Sequence, residues 1–526
     1  MRFLIFHGYL LRGTGSNVYN ASLARALVRL GQEVHLLCQD RRAGELPFVD
    51  AVGGWSGGEL RVEELRQPVR CTAYLPDIGR VLPVYVEDEY EDFDARAYPR
   101  LSDAELDRYL EANVGAVRDV AGRASPEAAL ANHLVMGPAI LARGLGGGVP
   151  YAVKVHGSAL EYTVRPNPER FLPYAREGLD GARTVLVGSR HTAESLWEVM
   201  GDRGELRART RLGPPGVDTD TFRPRPSHEA AAGPSRLADL LEERAAAARG
   251  EGAESEGAAS GWGGDPGAAQ ALRALDPERD LIVSYVGKLI VSKGVDLLLA
   301  AWPLVAARVP RARLCVVGFG TYRDALDRLR RVLASGDLDG AREIAARGRE
   351  LEGGPPGELR HLAAFLDALD GSERDAYLGA AAGAMARVHL TGQLEHDHLP
   401  YLLPACRAQV VPSTFPEAFG MVAVEAAACG ALPVSAAHSG LAEVSATLAS
   451  ALDEDLRPLL SFDLGPGAVR AIAERLITWL ELDDERRARA SAALSELARS
   501  RYGWESVAEQ VIAAAQGRID ELPEPA

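Results

Sequence analysis

The segment STFPEAFGMVAVEAAACGALPV (413–434) carries two glutamates eight positions apart, Glu417 and Glu425. Glu425 stands in a run of small apolar residues that predicts a buried helix, where an unpaired carboxylate is costly. Vicinal hydroxyls, such as those of a ribose, donate two hydrogen bonds to such a carboxylate. We therefore predict that a ligand's hydroxyls satisfy Glu425 and that Glu417 faces the same ligand. The alternative is an exposed helix residue preceded by a helix-entry charge.

The same helix begins beside Phe419, Gly420 and Met421. Backbone N–H groups at the start of a helix have no partner inside the helix, so they are free to bind phosphate or sugar oxygens. These three residues are therefore predicted to bind substrate through their amides.

Lysine is rare in this chain: it occurs only at Lys154, Lys288 and Lys293, against fifty-five arginines. Lys288 and Lys293 flank the loop of YVGKLIVSKGVDLLLA (285–300), between a predicted strand and a predicted helix. Two compact cations at a helix entrance are typical of a phosphate site that needs no metal. The pattern GxxxxGK[ST] is absent, so this is not a Walker loop; two exposed lysines on a loop are the alternative.

The first loop, GTGSN (13–17), follows the first predicted strand. Gly15 lets a ligand approach the backbone, although the third glycine of GxGxxG is replaced by Val18 and a tight structural turn is an equal alternative. Farther on, YAVKVHG places Lys154 and His156 at the end of one strand and on one face of it. We interpret His156 as a functional residue, with a satisfied core histidine as the alternative.

Short β-rich runs alternate twice with amphipathic helical patterns. The first set comprises 3–8, 33–39, 128–133, 151–157 and 184–189, and the second comprises 281–288, 313–320, 387–392, 408–413 and 431–436. Such alternation indicates parallel sheets with helices on both faces. We therefore predict an α/β fold of two doubly wound, Rossmann-like domains facing a cleft, with ligands at the carboxyl ends of the strands.

The domain boundaries follow from composition. We expect an N-terminal domain at 1–225 and a C-terminal domain at 281–500, with a helical insert at about 330–385. The stretch 226–280, whose middle is rich in Gly, Ala and Glu, is predicted to be a flexible linker or insert with a short helix at SRLADLLEERAAAA (235–248). Residues 501–526 are expected to form a C-terminal helix and tail that pack back on the N-terminal domain.

The chain carries 58 basic and 74 acidic residues and a net charge of −16, without a cluster of basic residues, which argues against nucleic-acid binding. The acidic run EDEYEDFD (87–94) is expected to be a solvated loop. No signal peptide and no transmembrane helix are predicted, and membrane association is not indicated. The five scattered cysteines are expected to be reduced core residues, so we expect a cytoplasmic protein.

Taken in order, these segments resemble the retaining glycosyltransferases of family 4, which have the GT-B architecture. Residues 417–425 resemble the family's E-x7-E motif, and VGKLIVSKG resembles its diphosphate loop, with Lys288 where arginine is more usual. PPGVDTDTFRP (214–224), VHG (155–157) and VHLTGQLEHDHLPYLLPACRAQVVPS (388–413) resemble further family segments. The first-loop residues SNVY (16–19) resemble the corresponding residues in the branch of the family that glycosylates phosphorylated inositol.

The resemblance implies a nucleotide-diphospho-sugar donor, with a UDP-sugar as the expectation, and an unidentified hydroxyl acceptor. Lys288 and Lys293 would neutralise the leaving diphosphate, and Gly15 would admit the phosphates. Glu417 would face the donor sugar and Glu425 the ribose. The resemblance also gives roles to five further residues: amide contacts to donor oxygens for Phe419, Gly420 and Met421, and acceptor contacts for Ser16 and Asn17. His156 would lie near the transferred sugar and the acceptor, and Lys154 beside it would bind substrate.

No metal or other cofactor is expected. Asp218 and Asp220 form a D-x-D pattern, but their place after PPGV favours an interdomain turn. His396 and His398 lack the further ligands that zinc requires. Three alternatives stay open: a sugar-nucleotide epimerase of the same architecture, a nicotinamide-dependent dehydrogenase suggested by GTGSN and Asp40, and a catalytically dead nucleotide-sugar-binding protein.

Overall fold

A computed structural model describes residues 1–12, 15–85, 93–201, 204–250 and 267–525. The chain divides into two compact α/β units: Met1–Gly216 with Tyr502–Ala526, and Val217–Arg501. The acidic run predicted at 87–94 lies outside the described residues up to position 92, as do the first two residues of GTGSN. Among the described helices, none combines the length and apolarity needed to cross a bilayer.

The first unit is built on a nine-stranded sheet. The nine strands of the sheet are Arg2–Phe6 (β1), Glu33–Leu37 (β2), Ala51–Ser56 (β3), Glu59–Glu64 (β4), Cys71–Leu75 (β5), Ala128–Asn132 (β8), Tyr151–Lys154 (β9), Thr184–Val187 (β10) and Thr210–Leu212 (β11). Two further strands, Val81–Val84 (β6) and Asp94–Ala97 (β7), pair only with each other among the described strands. The order is β11-β10-β9-β8-β1-β2-β5-β3-β4, and all neighbours except β3 and β4 are parallel. Central strands such as β8 are buried throughout, because helices cover both faces.

The helices of the first unit carry clear end signals. They are Gly15–Arg29 (α1), Asp103–Ala124 (α2), Gly137–Leu145 (α3), Pro168–Asp180 (α4), Arg190–Met200 (α5) and Gly204–Arg209 (α6). Helix α2 begins with a capping box, in which the Ser102 hydroxyl accepts from the backbone of Glu105 and the Glu105 carboxylate accepts from the backbone of Ser102. Helix α3 ends at Gly146, which adopts the left-handed conformation that glycine tolerates.

The second unit has a six-stranded, fully parallel sheet. Its strands are Leu281–Val286 (β12), Ala312–Val317 (β13), Val388–Gly392 (β14), Cys406–Val411 (β15), Leu432–Ala436 (β16) and Ser461–Phe462 (β17). The order is β14-β13-β12-β15-β16-β17. In terms of chain order within the unit this is 3-2-1-4-5-6, the order of a doubly wound dinucleotide-binding sheet, and its direction reverses between β12 and β15.

Twelve helices surround this sheet within the described residues. They are Ser227–Gly250 (α7), Ala268–Arg273 (α8), Val295–Arg308 (α9), Arg323–Ser335 (α10), Leu338–Arg347 (α11), Arg360–Asp367 (α12), Gly371–Met385 (α13), Leu399–Leu402 (α14), Met421–Ala428 (α15), Ser439–Ala449 (α16), Ala468–Leu480 (α17) and Asp484–Tyr502 (α18). The insert expected at 330–385 is helical and separates β13 from β14. Every predicted strand of both sets is present.

The stretch 226–280 differs from the flexible linker that we expected. It holds the long helix α7 and the short helix α8, which pack on each other, and α7 also packs on α14. The physical reason lies in its apolar positions: Leu237 and Ala238 are fully buried, and Arg273 pairs with Asp239 and Glu242. The low-complexity residues 251–266 lie outside the described part of the chain.

The C-terminal segment belongs to the first unit. Helix α19 (Trp504–Gln516) packs on α1 and on β9. The Trp504 indole meets the Tyr19 ring edge-on, with 5.3 Å between ring centroids, and it also lies against Gly216. All five cysteines of the chain are buried and unpaired, as expected.

Two loops that follow neighbouring strands of the second unit approach each other closely. Gly294, between β12 and α9, has φ +66°, and a Cβ there would collide with the carbonyl oxygen of Pro412, after β15. The Thr414 N–H donates to the Ser292 carbonyl at 2.9 Å. Only glycine permits both the backbone conformation and the close approach.

Gly294→Ala should therefore destabilise the second unit by roughly 3 kcal/mol or more, from backbone strain and steric overlap together. Gly336→Ala is the matched control, because Gly336 has φ +75° but its nearest neighbour would lie 3.6 Å from the new Cβ. We expect a cost of about 1 kcal/mol there. Calorimetric melting of the two variants measures the difference; equal losses would contradict a close approach at Gly294.

Candidate active site

The switch point of the second sheet brings charged side chains together. Lys293, at the end of the loop after β12, forms an ion pair with Oε1 of Glu417, in the loop after β15. The same carboxylate oxygen accepts from the Ser413 hydroxyl at 2.6 Å. Both side chains of the ion pair are about a quarter to a third exposed, at 30% and 24%. Lys293 and Glu417, which are 124 positions apart in the chain, therefore form one site.

A second layer of residues holds Glu417 in place. Its backbone N–H donates to the Ser439 hydroxyl at 2.9 Å, and its carbonyl accepts from the Gly440 N–H at 2.9 Å. His438 donates from Nε2 to the Ser413 carbonyl at 2.7 Å, and its Nδ1 lies 3.1 Å from the Ser439 hydroxyl. The start of α16 thus fixes the backbone of Glu417, and His438 fixes the backbone of Ser413, whose hydroxyl donates to the Glu417 carboxylate.

Glu425 lies inside α15 with only 3% of its surface exposed. Its Oε1 is 2.7 Å from Nε2 of His396, which precedes α14. Burial of the imidazole, the largest single effect, disfavours its charge, but the carboxylates of Glu425, Asp218 and Asp397 together outweigh it, with Glu425 first among them, so the pKa of His396 is raised. The His396 ring also packs on Phe222, with 5.0 Å between centroids.

This contact changes our interpretation of Glu425. We expected a ligand's hydroxyls alone to satisfy the buried carboxylate, whereas the chain itself supplies a partner for one oxygen. Oε2 makes no hydrogen bond within the described residues, so it is the oxygen left for a ligand. The sequence analysis considered His396 only as a zinc ligand and missed this role.

The other residues predicted for the second unit lie along the same strand ends. Lys288 is exposed, and its backbone carbonyl accepts from the Tyr285 hydroxyl at 2.9 Å. Gly420 precedes α15 with φ +132°, where a Cβ would lie 2.6 Å from the Leu441 side chain. Phe419 is buried, and Met421 is the first residue of the helix. The structure thus gathers Lys288, Lys293 and Glu417 with residues 419–421 and Glu425 at one edge of the sheet.

The first unit has a different group at its own strand ends. His7 follows β1, His133 follows β8 and His156 follows β9, and these three strands are neighbours in the order β9-β8-β1. The His133 ring lies 4.8 Å from the His156 ring and 6.1 Å from the His7 ring. From the sequence we singled out only His156, although each of the three strand patterns has a histidine at its last or next-to-last position.

These three imidazoles are uncharged. Burial lowers the pKa of His7 to about 4, against smaller opposing effects of hydrogen bonds to Asn17 and Leu10. Burial, followed by the nearby His7, lowers the pKa of His133 well below its usual value. The pKa of His156 is also well below the usual value, first through burial and then through His133, Lys154 and His7.

Lys154 is enclosed beneath this group with 2% of its surface exposed. Its ammonium donates to the Gly213 carbonyl and lies 5.7 Å from the centroid of the Tyr19 ring, whose edge meets His156. Burial lowers the pKa of Lys154 to about 7. Lys154 is therefore enclosed by the unit's own residues, with its ammonium on the Gly213 carbonyl beside the Tyr19 ring, rather than exposed for the direct substrate contact that we expected.

The residues predicted to bind substrate in the first loop differ in their surroundings: Gly15 has open space around it among the described residues, whereas Ser16 and Asn17 make hydrogen bonds within the unit. A Cβ at Gly15 would meet no atom of the described residues within 4 Å, so no packing among them requires glycine there. Asn17 is buried and donates to the Arg12 carbonyl at 2.8 Å, and the Ser16 carbonyl accepts from Asn20 at 2.9 Å. The backbone of Ser16 and the side chain of Asn17 thus take part in the unit's own hydrogen bonds.

The side chain of Asp40, the residue that suggested a dehydrogenase, already has hydrogen-bond partners within the chain. Its carboxylate accepts from the Leu11 N–H at 3.1 Å and from the Arg42 N–H at 2.9 Å, and Arg12 lies within 3.5 Å. The Asp40 side chain therefore caps a loop. In the D-x-D pattern, Asp218 accepts from Thr221 through both its side chain and its backbone, as in a turn.

Comparison with known proteins decides the family. Residues 14–216 match the family model described as "Glycosyl transferase 4-like domain", and residues 371–495 match the one described as "Glycosyl transferases group 1". Together these segments cover more than half of the chain. The chain is a GT-B glycosyltransferase. The first match is also consistent with family 4.

Solved structures support the fold of this glycosyltransferase at low sequence identity. Sucrose-phosphate synthase from Thermosynechococcus elongatus has a TM-score of 0.54 at 18% identity, with 99% of each chain covered. Anabaena HepE, solved with UDP-glucose, has a TM-score of 0.53 at 16% identity, covering 99% of this chain and 100% of that chain. The catalytic domain of starch synthase IV from Arabidopsis thaliana, bound to ADP and acarbose, has a TM-score of 0.54 at 14% identity, with 99% of each chain covered. No curated protein sequence gives a significant match.

Within the described ranges of the glycosyltransferase, no group of three or more His, Cys, Asp or Glu side chains is placed to hold a metal ion. His398 accepts through Nδ1 from the Glu395 N–H at 3.1 Å, and its Nε2 lies 2.7 Å from the Arg244 guanidinium. Since His396 pairs with Glu425, the two histidines have separate partners.

The buried Lys154 makes stability depend on pH. Unfolded lysine keeps its proton up to a pKa of 10.5, whereas folded Lys154 loses it near pH 7, so the unfolded state binds more protons between these values. Lys154 should therefore contribute a rise in the stability of the first unit as the pH increases from about 7 to 10.5, and Lys154→Met should remove that contribution. Melting temperatures of the wild type, Lys154→Met and the exposed-lysine control Lys288→Met, recorded from pH 6.5 to about 9.5, test this. Parallel curves for wild type and Lys154→Met would contradict it.

Proposed function

We propose that this glycosyltransferase transfers a sugar from a UDP-sugar to a hydroxyl group of an acceptor, with retention of the anomeric configuration and without a metal ion. The observation that carries the proposal is the cluster at the switch point of the second sheet. There, the Lys293–Glu417 pair, the exposed Lys288 and the buried Glu425 lie at the strand ends where doubly wound sheets bind nucleotides.

In this proposal each side chain has a separate task. Lys288 and Lys293 neutralise the diphosphate, which takes over the role that a divalent cation plays in other sites. Oε2 of Glu425 accepts from the ribose hydroxyls while His396 keeps Oε1 satisfied. Glu417 faces the donor sugar, and the start of α15 at Phe419, Gly420 and Met421 offers backbone amides to donor oxygens.

The reaction follows from that arrangement. The bond between the anomeric carbon and the diphosphate oxygen breaks, and its electron pair leaves on the diphosphate, where the two lysines stabilise it. The acceptor oxygen forms the new bond to the same carbon on the same face and releases its proton to the leaving diphosphate. His156 is the residue of the first unit proposed to contact a substrate hydroxyl. Retention rests on the family resemblance.

The choice of UDP is supported by the Anabaena structure, which was solved with UDP-glucose, while the Arabidopsis structure contains ADP. The acceptor in this proposal is a compound that carries a hydroxyl group. An epimerase of the same architecture would use the same nucleotide, and only formation of a glycosylated product separates the two activities.

The donor site is tested by measuring binding of UDP, GDP, ADP and their glucose conjugates by calorimetry in the presence of EDTA. We expect one of these nucleotides to bind. Glu425→Gln should weaken the affinity for that nucleotide by roughly 10- to 100-fold, because hydrogen bonds to a charged group contribute about 1.5–3 kcal/mol. Lys293→Met should weaken binding of the diphosphate but not of the free nucleoside.

The matched control is Glu474→Gln, which removes an exposed carboxylate on α17 and should leave the affinity unchanged. Equal binding by wild type and Glu425→Gln would remove the ribose role of Glu425. Binding only when Mg²⁺ is supplied would contradict the metal-independent mechanism. Transfer of labelled sugar from the selected donor to a panel of hydroxyl acceptors then tests the reaction itself.

A further inference from the structure

His156 stands at one end of a row of buried side chains in the first unit. The row runs from His7 through Asn20 and Asn132, whose surfaces are at most 1% exposed. Each member is within hydrogen-bond distance of the next. Hydrogen bonds have a direction, so the donors and acceptors along such a row determine which nitrogen of each histidine carries the proton.

The protonation of His7 follows from its neighbours. Its Nε2 lies 2.9 Å from the Leu10 carbonyl and 3.0 Å from Oδ1 of Asn17, and both atoms only accept. Asn17 cannot present its amino group instead, because that group donates to the Arg12 carbonyl at 2.8 Å. Nε2 of His7 therefore carries the proton, and Nδ1 accepts from Nδ2 of Asn20 at 3.0 Å.

Backbone carbonyls orient the two asparagines between the histidines. Nδ2 of Asn20 also donates to the Ser16 carbonyl at 2.9 Å, so Oδ1 of Asn20 faces Asn132. Nδ2 of Asn132 donates to that oxygen at 2.7 Å and to the Phe6 carbonyl at 3.3 Å. Carbonyl oxygens cannot donate, so neither amide can turn over without losing two bonds.

The row ends on His156. Oδ1 of Asn132 is 3.0 Å from Nε2 of His156, and since this oxygen only accepts, Nε2 must donate. The ring is held by the edge of Tyr19 at 5.2 Å and by His133 at 4.8 Å, measured between centroids. Nδ1 makes no hydrogen bond to any described residue. A neutral imidazole with Nε2 protonated carries its lone pair on Nδ1.

We propose that Asn20 and Asn132 are positioning residues that hold His156 in its Nε2–H tautomer, so that Nδ1 accepts a hydrogen bond from a substrate hydroxyl. This inference rests on the proposed function, in which His156 contacts a hydroxyl of the sugar or of the acceptor. It adds the direction of the hydrogen bond in that contact. Nδ1 of His156 accepts, so it favours a substrate group that donates and disfavours a carbonyl or ether oxygen at the same place.

The direct test is the tautomer of His156, read from the ¹⁵N shifts of its ring in the full-length protein labelled with ¹⁵N-histidine. His156→Asn assigns the signals. We expect Nε2 to have the shift of a protonated nitrogen and Nδ1 that of a bare one. In Asn132→Ala and Asn20→Ala the two shifts should move toward each other, as both tautomers become populated, with the larger change in Asn132→Ala.

Asn113→Ala is the matched control, because Asn113 is a fully buried asparagine of the same unit that donates to the Tyr109 carbonyl outside the row. It should leave the His156 signals unchanged. A protonated Nδ1 in the wild type would overturn the proposal without any variant having to fold. Unchanged His156 signals in a folded Asn132→Ala protein would also overturn it.

Activity separates this inference from the proposed function. Asn132→Ala should lower kcat/KM for sugar transfer by about 10- to 100-fold, the range found when a residue that orients a histidine is removed from other sites. Its affinity for the nucleotide should stay unchanged. If the wild type transfers no sugar, the proposed function fails whatever the tautomer. If it transfers sugar with Nδ1 of His156 protonated, only the role of the asparagines fails.

Discussion

The ion pair between Lys293 and Glu417 depends on one feature of the second sheet: β12 and β15 are neighbours although two strands and a helical insert separate them in the chain. Parallel strands bring the loops at their carboxyl ends to the same edge, and sheets of this kind bind ligands at that edge, where the strand order reverses. The Gly294 backbone against Pro412 and the hydrogen bond from Thr414 to Ser292 fix how close those loops come. Everything that we propose for the donor site requires this juxtaposition.

The first unit also has a point in its sheet where the strand order reverses, but the side chains there carry different charges. Its sheet also reverses direction between β1 and β8, and the three histidines lie at the ends of these two strands and of β9. In the second unit the cluster is charged, with cations placed where an anionic leaving group would lie. In the first, burial keeps the histidines neutral, which suits hydroxyl recognition. One fold thus supports both kinds of site because the strand ends, rather than the strands, carry the chemistry.

Much of the fold could be predicted from the sequence, because buried parallel strands are short apolar runs separated by helical patterns. The hairpin of β3 and β4 was missed, although Gly57 and Gly58, both with positive φ, stand between its strands as in a two-residue turn. The length of helix α7 was underestimated, because the composition of this stretch resembles that of a linker. Its stability comes from packing on α8 and α14. Tertiary contact, not local propensity, determines such elements.

The candidate site was predictable where a single segment carries the pattern, as with Glu417 and Glu425. It was not predictable where partners come from distant segments. His396 is twenty-nine positions from Glu425, and Asn20 and Asn132 are 112 positions apart; nothing local marks them as partners. Lys154 shows the opposite error, since alternation along a strand gives the face of a side chain but not whether another element covers it.

The central claim is that the second unit binds the nucleotide of the donor through Glu425 and the two lysines. A crystal structure of the protein with bound UDP tests it most directly. The account predicts ribose hydroxyls within hydrogen-bond distance of Oε2 of Glu425, the diphosphate beside Lys288 and Lys293, and His396 still on Oε1. A nucleotide bound elsewhere, or bound here with its ribose away from Glu425, would contradict the account.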